Sequence, residues 1–382
     1  MNVYLDNAAT TPLDQEVFEA MKPFLLEHYG NPSSIHSHGR KVRSAIEYAR
    51  KQVAELLNAS TGEIFFTSGG TEADNAIICS NIDTYGLKHA ITSRIEHHAV
   101  LHTMENLEKQ GKIKLSYVEL DEKGHVVFEH LEELLKNNSR SLVSLMHANN
   151  EIGNINDLSA IGDLCEKYDT VFHSDTVQTV GHYRHDLKNL NVHCITGAAH
   201  KFHGPKGAGF MYIKKDSKIS PYIHGGAQER NMRGGTENVY GIIGLAKALE
   251  ICYRDMEEHH NYIQGLKNRM IEKLKRSIEG ISFNGDSANP ERSLYTVLNV
   301  CLPESPDNDM LLFTLDINGI SASGGSACSS GASTGSHVLA GIKADPNRGA
   351  VRFSFSKYNR PEEIDYTVEK LAEFYKQVEA ER

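Results

Sequence analysis

The stretch EIFFTSGGTEADNAIICSN, residues 63–81, decides how the rest of the chain is read. Its apolar start has strand length, and Ser68, Gly69, Gly70 and Thr71 then turn directly into a helical segment. Glycines at such a turn let backbone N–H groups approach an anion, and the helix N-terminus adds partial positive charge. The same residues are also compatible with a capped helix after a tight turn.

Working outward, the pattern repeats. Strands are expected in HAITS, SLVSLMHAN, TVFHSD, HCIT and GAGFMYI, and amphipathic segments lie between them. Val42, Ala45, Ile46, Ala49, Val53 and Leu56 recur at three- and four-residue spacing and predict a helix after NPSS at 32–35. Alternation of this kind specifies an α/β fold on a mixed or parallel sheet. Several strands run straight into polar or glycine-rich tails: TSGGTEADN, HANNEIG, HSDTVQ and TGAAHKFHGPKG. Ligands of open α/β sheets bind at the carboxyl ends of strands, so these tails define where a site is expected. From about residue 256 the texture changes to a long helical stretch, the runs SLYTVLNVCL and VRFSF, and a charged terminal helix. This predicts a large domain over 14–255 and a smaller one from 1–13 and 256–382. Residues 323–336, SGGSACSSGASTGS, hold only Ser, Gly, Ala, Thr and Cys and predict a mobile loop.

The totals narrow the function. A chain of 382 residues with a formal charge of −10 lacks the concentrated positive charge that nucleic acid or an anionic membrane requires. No apolar run spans a bilayer and the N-terminal residues resemble no export signal, so the expected location is cytoplasmic. Cys79, Cys165, Cys194, Cys252, Cys301 and Cys328 form no CxxC pair. Five have apolar neighbours and read as core residues, whereas Cys328 lies in the loop of small residues.

Two strand tips carry chemistry. Lys201, in AAHKFHGPKG, sits among small residues where a lysine can lose its proton and bind an aldehyde cofactor; Lys206 is a second candidate. Asp175, closing TVFHSD, is placed to pair with a pyridinium nitrogen, or merely to cap and be solvated. No GxxxxGK[ST] is present, and GPKGAG at 204–209 has the wrong glycine order for a dinucleotide fingerprint.

The chain resembles the cysteine desulfurases, fold-type I pyridoxal-phosphate enzymes. YLDNAATTP (4–12), YGNPSSIH (29–36), FTSGGTEADN (66–75), EHHAVL (96–101), NNEIG (149–153), HSDTVQ (173–178), AHKFHGPKG (199–207), GGAQERNMRGGTEN (225–238), SGGSACSSG (323–331) and VRFSF (351–355) match its motifs in order. The resemblance implies a large domain with a mixed, mostly parallel seven-stranded sheet and a smaller α+β domain. It implies Lys201 as the cofactor lysine rather than Lys206, Asp175 on the pyridine nitrogen, Gln178 on the ring hydroxyl and His97 stacked on the ring. Gly70, Thr71 and His200 are then phosphate contacts, as is Thr236, supplied by the other subunit of a homodimer. Asn150 and Arg352 hold the amino acid, Arg352 by the two-pronged contact that guanidinium geometry provides. Ala198 stands where many relatives carry a serine. The lost donor is worth about 1.5–3 kcal/mol of cofactor binding unless Thr196 or water replaces it.

The mechanism so implied removes sulfur from L-cysteine. Lys201, assisted by His97, takes the Cα proton; the Cys328 thiolate takes the sulfur as a persulfide, alanine leaves, and the persulfide passes to an acceptor such as an iron–sulfur cluster scaffold. Selenocysteine lyase shares most of these contacts, whereas a transaminase has no use for Cys328. His98 and His102 have the spacing of a helical metal pair, but the sequence marks no third ligand, and no metal is expected.

Overall fold

The runs that read as strands become strands because almost every residue in them is buried on both faces, the environment of a sheet covered by helices. The structure, a computed structural model, describes residues 1–138, 140–324 and 335–380. Its twelve strands are β1 (Val3–Tyr4), β2 (Ile64–Thr67), β3 (His89–Thr92), β4 (Lys114–Tyr117), β5 (Leu142–Ser144), β6 (Val171–Asp175), β7 (Cys194–Ala198), β8 (Gly209–Ile213), β9 (Ser282–Phe283), β10 (Val297–Glu304), β11 (Ile320–Ser321) and β12 (Arg348–Ser354). The helices are α1 (Gln15–Leu26), α2 (Ser37–Leu56), α3 (Gly70–Tyr85), α4 (His98–Lys109), α5 (Phe128–Asn137), α6 (Leu158–Lys167), α7 (Val239–Arg254), α8 (Met256–Ser277), α9 (Leu311–Ile317), α10 (His337–Gly341) and α11 (Pro361–Ala380).

The main sheet has the order β2-β8-β7-β6-β5-β3-β4, and only β8 runs against the rest. The mixed, mostly parallel seven-stranded sheet expected from the sequence is therefore present. At one edge, β4 is half-exposed and carries Lys114 and Ser116, which is why its sequence gives no clear strand signal. At the other edge, β2 is fully buried, so its outward backbone groups need partners. A buried ion pair supplies them. Arg50 donates to the Ile64 carbonyl at 2.9 Å, and Glu229 accepts the Phe66 N–H at 2.8 Å. The two side chains close on each other in a fork at 2.7 and 2.9 Å. Glu229, Arg230 and Asn231 all have positive φ, between 42° and 67°, a strained run that this clamp holds against the sheet. Glu229→Ala leaves the buried Arg50 guanidinium with only its longer contact to the partly exposed Glu47, at 3.3 Å, and should cost up to about 3–5 kcal/mol of unfolding free energy. Calorimetry or urea unfolding reads this directly, and a loss below about 1 kcal/mol would show that the clamp carries little.

A second core forms on the antiparallel sheet β12-β10-β9. Ile263, Leu266, Met270 and Leu274 of α8 and Ile364, Val368 and Leu371 of α11 recur at helical spacing and pack with the inner face of β10. Val3 and Leu5 belong to this core, and β1 pairs in parallel with β11. Among the described residues, no helix is long and apolar enough to cross a membrane.

Candidate active site

Five strand tips converge. The segments that follow β2, β3, β5, β6 and β7 meet residues Ala8 and Ala9 and Arg352 of β12 around a cavity of about 210 Å3. Nine of the residues singled out in the sequence line it together: Gly70, Thr71, His97, Asn150, Asp175, Gln178, His200, Lys201 and Arg352. Thr236 does not; it is exposed beside a separate groove with Ser68, Gly207 and Arg233. Cys328 lies outside the described residues.

Each wall has a distinct chemistry. The N-terminus of the sixteen-residue α3 receives no capping side chain, so Gly69 leaves the first N–H groups of the helix, at Gly70 and Thr71, available to an anion in the cavity. Opposite in charge, Asp175 is buried and accepts the Val177 N–H at 2.9 Å. Burial raises its pKa, and the neighbouring Asp74 raises it further while His97 opposes the rise. Such a carboxyl favours a partner that brings a positive charge or a proton.

His97 caps α4: its Nδ1 accepts the Ala99 N–H at 3.1 Å, which leaves the ring proton on Nε2. Burial lowers its pKa, so the neutral ring prevails near pH 7. Lys201 donates from Nζ to the carbonyls of Ala8 and Ala9 at 2.6 and 2.9 Å, while Lys206 is exposed and away from the cavity. Gln178 reaches the same Ala8 carbonyl at 3.1 Å, and His200 contacts Thr10 at 3.2 Å.

Arg352 is 1% exposed. One Nη donates to Asp6 at 2.7 Å and the other to the Asn150 carbonyl at 3.0 Å, but the buried Nε has no partner. Arg352 lines the cavity with this hydrogen-bonding capacity unmet, which suits its guanidinium to receive a carboxylate.

Asp74 was not foreseen. It is 1% exposed, lines the cavity, and lies one helical turn after Gly70, a spacing that puts it on the same face of α3. Its Oδ1 stands 3.4 Å from Nε2 of buried His173, whose Nδ1 meets Ser144 Oγ at 2.8 Å. Burial pushes the Asp74 carboxyl up to about 7 and His173 down to about 4, so near pH 7 His173 is neutral and Asp74 stands close to its midpoint. Ala198 also lines the wall, but Thr196 does not, so Thr196 offers no substitute for the missing serine hydroxyl. Of the five cysteines read as core, Cys165, Cys194, Cys252 and Cys301 are buried and Cys79 is half-buried.

These walls fit pyridoxal phosphate. The uncapped helix end suits its phosphate, buried Asp175 its pyridinium, and Lys201 its aldehyde.

Comparison with known proteins points the same way. The aminotransferase class-V family model matches residues 3–367. The cysteine desulfurase IscS of Dictyoglomus turgidum is 43% identical over 97% of this chain and 93% of its own length. A putative cysteine desulfurase, IscS 1 of Bacillus subtilis, is 40% identical over 98% of this chain and 99% of its own. The solved structure of a NifS-like protein superposes with a TM-score of 0.91 at 39% identity, covering 98% of this chain and all of that one. The structure of SspA in complex with cysteine superposes with a TM-score of 0.81 at 30% identity, covering 94% of this chain and all of that one.

Proposed function

Since this chain belongs to the class-V aminotransferase family, as a pyridoxal-phosphate-dependent cysteine desulfurase, we propose that Lys201 holds the cofactor, Arg352 and Asn150 hold L-cysteine, and Cys328 receives its sulfur. The observation that carries the assignment is the meeting of four unlike groups on one cavity: the uncapped end of α3, the Asp175 carboxyl, the Lys201 amine and the unpartnered Arg352 Nε.

Bound pyridoxal phosphate supplies an electron sink that acidifies the substrate Cα–H and loosens the Cβ–Sγ bond. Asp175 keeps that sink effective by favouring a proton on the ring nitrogen facing it. Gly70, Thr71 and His200 fix the phosphate end, and His97 Nε2–H stands at the cavity wall. Arg352 orients the substrate by its carboxylate, which turns Cα toward the Lys201 amine, and Lys201 removes the Cα proton. The Cys328 thiolate then attacks the substrate sulfur. A Cys328–S–S bond forms, the Cβ–S bond breaks with its electron pair passing to the carbon fragment, a proton adds at Cβ and the Lys201 ammonium returns one to Cα, so that cysteine and a thiol become alanine and a persulfide.

The decisive experiment is incubation with L-cysteine followed by intact-mass measurement. One added sulfur on Cys328 and one alanine per chain are expected. Cys328→Ser should abolish the persulfide and leave the visible absorbance of the bound cofactor unchanged. Sulfide release by that variant at the parent rate, without added reductant, would remove Cys328 from its role.

The exposure of Thr236, outside its own chain's cavity, supports a homodimer in which it reaches the phosphate of the second copy. The protein acts in the cytoplasm, and its sulfur passes to an acceptor such as an iron–sulfur cluster scaffold. The IscS name borne by several relatives supports that destination. The large domain spans 14–255, and the small domain spans 1–13 and 256–382, a division supported by Val3 and Leu5 joining the second core.

A further inference from the structure

We propose that His98, His102 and His337 form a binding site for one borderline divalent cation, zinc being the type case, on the surface beside the cofactor cavity. The sequence marks only the helical pair His98 and His102; the fold supplies a third imidazole from 235 residues further along. His98 opens α4, and His102 follows one turn later on the same face. His98 Nδ1 and His102 Nε2 are 3.2 Å apart. Two nitrogens bound to one zinc at the usual 2.0–2.1 Å and a tetrahedral angle stand about 3.3 Å apart, so this pair already has the spacing of two ligands.

His337, the first residue of α10, lays its ring against His98 with centroids 4.4 Å apart. Its Nε2 lies 2.9 Å from the Glu96 carbonyl. A carbonyl only accepts, so Nε2 carries the proton and Nδ1 keeps its lone pair. Donation of the far ring N–H to a backbone carbonyl is the arrangement that orients metal-bound histidines.

Three imidazoles without a carboxylate suit zinc, cobalt, nickel or copper, and they suit magnesium and calcium poorly.

The three histidines do not bring one nitrogen each within 4.8 Å of one another in this structure, so binding requires the His337 ring to turn toward the His98–His102 pair. Among the described residues, the one trio whose ligand atoms all lie within 4.8 Å of one another is Asp74, His97 and Asp175, and it belongs to the cofactor cavity. A cation on the three histidines would join α4, capped by His97, to the five-residue α10, and so fix two elements that no backbone connection holds together.

The test uses the cofactor-loaded enzyme carrying Cys328→Ser, which removes a competing thiol ligand. Calorimetric titration with zinc should give one ion per chain, and cobalt should produce the visible bands of a four-coordinate N-ligated ion. Loss of an outer-shell partner alone costs about 10–100-fold in metal affinity, so His102→Ala and His337→Ala should each cost at least that. Zinc should also slow hydrogen exchange of the α10 amides in the parent and not in His102→Ala. Because His102 is exposed, that variant should fold, which its bound-cofactor absorbance will verify. Zinc binding unchanged by both substitutions, or no binding tighter than millimolar, overturns the proposal.

Discussion

Replacing Lys201 by alanine should abolish the cofactor's covalent attachment and lower desulfuration by a factor of about 10²–10⁴ or more, the usual contribution of a positioned acid–base group alone. The effect is chemical rather than structural. Lys201 donates to the carbonyls of Ala8 and Ala9, and Gln178 still reaches Ala8 when the amine is gone. Stability should therefore fall by no more than about 1–2 kcal/mol. Borohydride reduction followed by peptide mapping gives the clearest reading: the parent should carry cofactor on Lys201, and Lys201→Ala should carry none. Lys206→Ala should behave as the parent, since Lys206 is exposed and lines no part of the cavity. Cofactor trapped on Lys206 in the parent would reverse the assignment.

Arg352→Met should be the most damaging single change for substrate recognition. The carboxylate of cysteine has the guanidinium of Arg352 to meet at the cavity wall, and losing a charge-assisted hydrogen bond costs about 1.5–3 kcal/mol, or roughly 10- to 150-fold in KM. The same change removes the Asp6 partner at 2.7 Å, but Asp6 is partly exposed and still accepts from Ser323 Oγ at 2.9 Å, so the stability cost should fall below the roughly 3–5 kcal/mol of a fully buried pair. The two losses can be separated. Asp6→Asn combined with Arg352→Met should restore most of the stability but none of the affinity for cysteine. If the double variant regains a normal KM, Arg352 acts only through the fold.

Much of this site could be read from strand tips, because a parallel α/β sheet gathers the residues after its strands at one end whatever lies between them. Asp175, Lys201 and the turn at 68–71 were legible for that reason. Asp74 was harder to see. Its neighbours give no hint of burial, and its meaning comes from His173 and Asp175, about a hundred residues away, packed against the same face of α3. The role of Asp6 is likewise set by β12 at the far end of the chain, and the strand β4 escaped notice because its exposed edge carries the polar residues of a loop. Thr196 shows the reverse error. Two residues before Ala198 it has the right chemistry, but it lies outside the wall that Ala198 helps form.

The parallel pairing of β1 with β11 sets a schedule. Val3 aligns with Ile320 and Tyr4 with Ser321, so β1 waits for a strand made more than three hundred residues after it. Nothing delays the main sheet in this way, since its strands all lie between residues 64 and 213. One half of the cavity can thus take shape during synthesis, and Ala8 and Ala9 meet Gln178 and Lys201 of that half, whereas Asp6 finds Arg352 and β1 finds β11 only once the second core is complete. Because the loop closed by that contact spans more than three hundred residues, its entropy is paid late and all at once. Arg352 finds its carboxylate in that last step, so the side of the cavity expected to hold the substrate is completed after the rest.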